Sequence, residues 1–80
     1  MKVTVVSPES ILFKGEAQSV FVPGTSGQFE ILENHAPIIS SLEKGEVRVC
    51  TSEGEETYQI AGGFVEVADN DIDICAEVEE

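Results

Sequence analysis

The feature that most constrains this chain is a hydrophobic period of two. Val3 and Val5 alternate with Lys2, Thr4 and Val6; Val47 and Val49 alternate with Glu46, Arg48 and Cys50; Tyr58 and Ile60 alternate with Thr57 and Gln59. Val65 and Val67 flank Glu66, and Ile72 and Ile74 flank Asp73. Successive side chains of a strand point to opposite faces, so each run offers one apolar face to a core. Between 30 and 42, Ile31, Leu32, Ile38, Ile39 and Leu42 mimic a helical spacing. Pro37 opposes a helix there, because it lacks an N–H and biases Ala36 toward extended geometry.

Turn chemistry cuts these runs short. Ser7-Pro8, Pro23-Gly24, Ser26-Gly27, Lys44-Gly45, Glu53-Gly54, Gly62-Gly63 and Asp69-Asn70-Asp71 are the expected breaks. About eight short strands, with a turn roughly every 8–12 residues, predict an all-β antiparallel sandwich or barrel rather than βαβ units. No repeat or linker interrupts the chain, so residues 1–80 read as a single domain with a frayed acidic end at 77–80.

A chain of 80 residues has a modest core, burying about 60–65% of the surface its unfolded form exposes. With 41% hydrophobic and 25% charged residues, it is too apolar for intrinsic disorder. The formal charge is −12, from 16 acidic and 4 basic residues, and residues 41–80 hold most of the excess. Such a surface repels nucleic acid and anionic lipid headgroups, both of which need clustered Lys and Arg. Two readings of the charge stay open: a basic protein partner, or solubility alone.

Cys50 and Cys75 lie far apart, with no CxxC spacing. They leave open one disulfide or two half-buried thiols, and such sparse use favours the thiols of a reducing compartment. The start, MKVTVV, lacks the apolar stretch and cleavage site of a signal peptide, and no run approaches a membrane span. The expectation is a cytosolic, soluble chain.

Catalytic motifs are missing. His35 is the sole histidine; pairing it with Cys50 or a serine would need a base within hydrogen-bond reach and a third orienting group, and no G-x-S-x-G elbow is present. Among 16 acids some pair fits any spacing, so paired carboxylates carry no signal without a pocket. Asp69-Asn70-Asp71-Ile72-Asp73 has the alternate oxygens of a calcium loop, but Ile74 stands where the turn needs glycine. The competing reading is a hairpin turn at 69–71, with Asp71 and Asp73 outside and Ile72 and Ile74 inside. There is no GxxxxGK[ST], GxGxxG or Cys/His cluster, so no cofactor or metal is expected. Phe13, Phe21, Phe29, Phe64 and Tyr58 sit at scattered strand positions and read as core. What remains is an acidic all-β module that works by contact.

The order of motifs carries a resemblance. Val5-Val6-Ser7-Pro8-Glu9, Phe13-Lys14-Gly15-Glu16, Val20-Phe21-Val22-Pro23-Gly24, Gly27-Gln28-Phe29 and Asn34-His35-Ala36-Pro37 succeed one another. Leu42-Glu43-Lys44-Gly45, Val47-Arg48-Val49, Ile60-Ala61-Gly62-Gly63-Phe64-Val65-Glu66-Val67 and Asp69-Asn70 follow. Over residues 3–76 this resembles the N-terminal β-sandwich of the F-type ATP synthase epsilon subunit.

That resemblance implies a flattened antiparallel β-sandwich of about ten short strands, without an active site. It implies a rotor subunit on the central stalk of a proton- or sodium-translocating enzyme, coupling ring rotation to ATP synthesis at the cytoplasmic face of the membrane. The implied partners are the gamma subunit, met by Ser7, His35, Ser40, Ala61 and Glu66, and the c-ring, met by a loop at 24–30 with Gln28 at its centre and Glu30 beside it. Many members carry an acid where this chain has Gln28. Many also have Pro-Gly before His-Ala-Pro, where this chain has Glu33-Asn34, and asparagine tolerates the left-handed conformation such a turn needs. Members commonly continue for some 50 residues into two helices that bind ATP and inhibit rotation. A chain complete at Glu80 would lack both functions, and an excised domain would have lost them. The alternative to a stalk subunit is a stand-alone acidic β-sandwich binding a divalent cation or small ligand through 69–73.

Overall fold

The computed structural model describes residues 1–79 and is all-β among them. Eight strands form in chain order: β1 (Lys2–Val6), β2 (Ile11–Glu16), β3 (Ser19–Gly24), β4 (Gly27–Leu32), β5 (Ile38–Leu42), β6 (Gly45–Thr51), β7 (Gly54–Ala68) and β8 (Asp71–Val78).

Two layers share one strand. β2, β1, β8, the second half of β7 and β5 make a five-stranded layer. β4, β3, β6 and the first half of β7 make a four-stranded layer. The molecule is flattened, 30 × 27 × 18 Å.

The strand count is eight, as the alternation gives, and not the ten or so that the resemblance implies; one expected break also fails to end a strand. Gly62-Gly63 bends β7 instead of ending it. A bulge between Ile60 and Gly62 marks the point where β7 leaves β6 and turns to pair with β5. Gly63 permits that bend because a Cβ there would lie 2.8 Å from Ala76 Cα and closer still to Cys75 O. The acidic end is also more ordered than expected: β8 continues to Val78, and Glu79 N donates to Gln59 O at 2.9 Å. Glu80 lies outside the described residues.

The sheet is mixed rather than wholly antiparallel, since β1 runs parallel to β8, with Val3 opposite Ile72 and Val5 opposite Ile74. Parallel neighbours need a long connection, and here almost the entire chain supplies it. This places the N-terminal strand inside its layer, between β2 and β8.

The period-two reading of the core holds. Val3, Val5, Val65, Val67, Ile72 and Ile74 from one layer meet Val20, Val22, Ile31, Val47, Val49 and Ile60 from the other. Each is at most 2% exposed, and burial of such a side chain is worth about 1.5–3 kcal/mol. The aromatic expectation holds only in part. Phe13, Phe29 and Tyr58 pack half-buried against the core margin, while Phe21 lies under Arg48, whose Cζ is 5.2 Å from the ring centroid. Phe64 is 48% exposed. The narrow gap between layers is filled by branched aliphatic side chains, and rings are displaced to the rim.

Tyr58 closes that rim, its hydroxyl donating to Leu12 O at 3.2 Å and so joining β7 to β2. Burial pushes its phenol pKa above the ordinary value, with help from the negative charge of Glu56.

Candidate subunit-docking surfaces

Adjacent apolar residues in a strand cannot both face the core. Val5-Val6, Ile38-Ile39, Phe64-Val65 and Ile74-Cys75 must each place one apolar side chain outside. Register gathers the outward members on one surface of the five-stranded layer. Phe64 pairs with Cys75, Cys75 with Val6 and Val6 with Ile11, forming an apolar row across four strands. Ile11 is 63% exposed. In the next row, Ile39 pairs with Glu66, Glu66 with Asp73, Asp73 with Thr4 and Thr4 with Lys14.

The residues expected to meet gamma distribute unevenly around this face. Ser7 and Ala61 line one shallow groove, together with Val6, Pro8, Phe64 and Glu77. Ser7 organises the turn after β1: its hydroxyl accepts from Glu9 N at 3.3 Å and Ser10 N at 3.2 Å. Glu66 stands mid-face. His35 lies at the far end with the β7–β8 turn, in a recess formed by Asn34, Ala36, Pro37, Asp69 and Asn70. Ser40 pairs with inward-facing Val65, so it points to the opposite face from Glu66. Sequence reasoning passed over Ile39 on the outward row, although the Ile38-Ile39 pair signals that one of the two must be exposed, and it placed Asp73 outside without joining it to the docking set.

The 24–30 segment is a hairpin, not a loop. Only Thr25 and Ser26 lie between β3 and β4, because Pro23 ends no strand: it pairs with Gln28, and its carbonyl accepts from Glu43 N at 2.9 Å. Thr25 N donates to Ser41 O at 3.2 Å, and Thr25 Oγ1 meets Ser41 Oγ at 3.0 Å, which ties the tip to β5. Gln28 and Glu30 share the outward side of β4.

His35 is built into a turn. Its N–H donates to Leu32 O at 3.2 Å, and Nδ1 lies 2.7 Å from Ala36 O, so Nδ1 carries a proton that the carbonyl accepts. Asn34 precedes it at φ 66°, the left-handed geometry expected there. Its N–H donates to Asn70 Oδ1 at 2.6 Å, and Asn70 Nδ2 donates to Asn34 Oδ1 at 3.0 Å.

Among the described residues the chemical alternatives find no converging geometry. Cys50 Sγ is directed to Glu55 Oε2 at 3.8 Å, away from the turn that engages His35. Both cysteines are free thiols. Cys75 faces outward from one layer beside Phe64 and Val6, and Cys50 outward from the other beside Ser19 and Glu55, so the core separates them. At 69–73, Asp69 and Asn70 take φ 52° and 62°, as a two-residue type I′ hairpin turn requires. Asp71 and Asp73 are exposed while Ile72 and Ile74 are buried, and Asn70 spends its side-chain oxygen on Asn34. No group of three metal-ligating side chains converges among the described residues.

Comparison with known proteins agrees with this arrangement. The model of the ATP synthase delta/epsilon chain β-sandwich domain matches residues 1–80. The chain is 46% identical over 77 residues to an ATP synthase epsilon chain of Leptospira interrogans, covering 96% of this chain and 61% of that one. It is 46% identical over 67 residues to the epsilon chain of Chlorobaculum tepidum, covering 82% and 76%. It thus spans about three fifths of the Leptospira relative. The fold is found in the Euglena gracilis mitochondrial ATP synthase OSCP/F1/c-ring structure, with TM-score 0.84, 25% identity and coverage of 92% of this chain and 48% of that chain. It recurs in the central stalk/c-ring structure from Tetrahymena thermophila, with TM-score 0.78, 18% identity and coverage of 95% and 62%. The chain therefore belongs to the β-sandwich family of ATP synthase delta and epsilon chains.

Proposed function

We propose that residues 1–80 form one epsilon-type domain that serves as a rotor subunit of the central stalk in an F-type ATP synthase. An epsilon chain is a non-catalytic subunit, and this one acts through contact. The outer face of the five-stranded layer docks on the gamma subunit, with Ser7 and Ala61 at one end, Glu66 in the middle and His35 at the other. Ser40 joins this contact only from the margin of β5, since it faces the other way. The β3–β4 hairpin carries Gln28 and Glu30 to the polar loops of the c-ring. Through these two contacts the subunit couples ring rotation, driven by protons or sodium ions, to ATP synthesis. It works at the cytoplasmic face of the membrane without inserting into lipid and without binding nucleic acid, both of which its charge disfavours.

The observation that carries this reading is the outward row in which exposed Ile11 and Phe64 are joined by half-buried Val6 and Cys75, in a chain of this family. A contiguous apolar strip on an otherwise acidic small domain is the mark of an interface. Co-expression with the cognate gamma subunit is the test, and a stoichiometric complex surviving size exclusion at micromolar concentration is expected. A folded chain that elutes alone would overturn the proposal. In the reconstituted enzyme, His35→Ala should leave ATPase turnover per assembled complex unchanged, because His35 supplies no chemistry.

A further inference from the structure

Two carboxylates stand directly opposite each other in the middle of the docking face. Glu66 pairs in register with Asp73, and both are exposed. Opposed residues hold their Cβ atoms about 4.5–5.5 Å apart, and like charges there repel. The ion pairs among the described residues are Met1 with Glu16, Lys44 with Glu79 and Arg48 with Glu46, so none relieves this repulsion. The cation of the same row, Lys14, is held off by Thr4, which occupies the position between it and Asp73.

The surroundings of the pair are apolar toward β5 and toward the row of Phe64, while on the side of the β7–β8 turn Asp71 is paired in register with Lys2. Ile39, beside Glu66, is 75% exposed, more than any other large hydrophobic side chain described. Phe64 and Cys75 form the adjacent row. Repelling carboxylates and bare hydrocarbon both cost the free chain stability. Both costs vanish together against a partner that covers Ile39 and Phe64 and places positive charge between the acids.

We infer that this patch is the specificity element of the docking face: one basic side chain of the gamma subunit, set in an apolar surface, sits between Glu66 and Asp73. Ile39 and Phe64 flank its stem. Arginine suits the position best, since its planar fork can engage two carboxylates and its weaker hydration eases burial. Charge selects the occupant, because a second copy of this chain, at −12, would bring like against like. Asp73 and Ile39 thereby join Glu66 as specificity-determining residues. The inference rests on the docking reading above.

The experiment measures affinity for the cognate gamma subunit at low and moderate salt, with melting of the free chain in parallel. Glu66→Gln, Asp73→Asn and Ile39→Ser are each expected to weaken binding by about ten- to a hundredfold, the range for losing a charge-assisted contact or a buried anchor. The two charge variants should also flatten the salt dependence, which Ile39→Ser should leave intact. Free Asp73→Asn should melt higher than the parent while binding worse, opposite signs that a purely structural role cannot produce. Parent-like binding by all three variants overturns the inference and leaves the docking reading standing. Failure of the parent to bind overturns both, and failure of Asp73→Asn to fold overturns the inference, since an exposed, repelled carboxylate cannot be structurally required.

Discussion

Asn34 and Asn70, 36 positions apart, hold each other through two reciprocal hydrogen bonds of 2.6 and 3.0 Å, and both adopt left-handed backbone geometry. The pair clamps the turn that carries His35 to the β7–β8 hairpin. One end of the proposed docking face is therefore shaped by a polar clasp and not by core packing.

Replacing Asn70 separates the two parts of that clasp. Asn70→Gly keeps the backbone unstrained and loses the side-chain bonds, for an expected cost of about 1–2 kcal/mol. Asn70→Ala adds a left-handed alanine, for about 1 kcal/mol more. Urea unfolding midpoints check both, and equal values for the two variants would show that backbone geometry contributes nothing.

Tyr58 ties the two layers at their open edge, so Tyr58→Phe should cost about 1 kcal/mol near neutral pH. Its effect must also depend on pH. The folded chain holds the phenol proton more tightly than the unfolded one, since burial raises its pKa. This stabilisation is fully present below the unfolded value, about 10, and is lost as pH rises through the higher folded value. The stability gap between parent and Tyr58→Phe should narrow from pH 8 to pH 11, and a constant gap would contradict the assignment.

Gly63→Ala should be the most damaging of these changes, at about 3 kcal/mol or more, because the added methyl would press on Cys75 O and on Ala76 Cα at 2.8 Å. Both atoms belong to β8, which cannot retreat without breaking its ladder with β7. Thermal melting of the variant tests this, and parent-like melting would mean that the bend in β7 is soft.

Self-repulsion at a net charge of −12 should make the isolated chain gain stability with salt. Raising ionic strength from 0.01 to 0.1 M shortens the screening length from about 30 to about 10 Å, so the melting temperature should climb over that range. An unchanged value would show that the acids are already well separated.

Local chemistry made much of this protein legible in its sequence. Alternation named the inward residues Val3, Val5, Val47, Val49, Val65, Val67, Ile72 and Ile74, because which face a side chain takes follows from its position along its own strand. Turn chemistry found the Asp69-Asn70 hairpin for the same reason, whereas the left-handed Asn34 was legible only through the resemblance, at a position where many members carry glycine. Tertiary structure decided what depends on partners distant in the chain. Whether Gly62-Gly63 ends a strand or bends it rests on the competing ladders with β6 and β5, and the parallel seating of β1 against β8 joins the two ends of the chain. Register alone set Glu66 against Asp73, turned Ser40 away from Glu66 and lined up Ile11, Val6, Cys75 and Phe64. Those alignments are the docking face, and none exists within a single strand, since each arises only when backbone hydrogen bonds lock separate strands side by side.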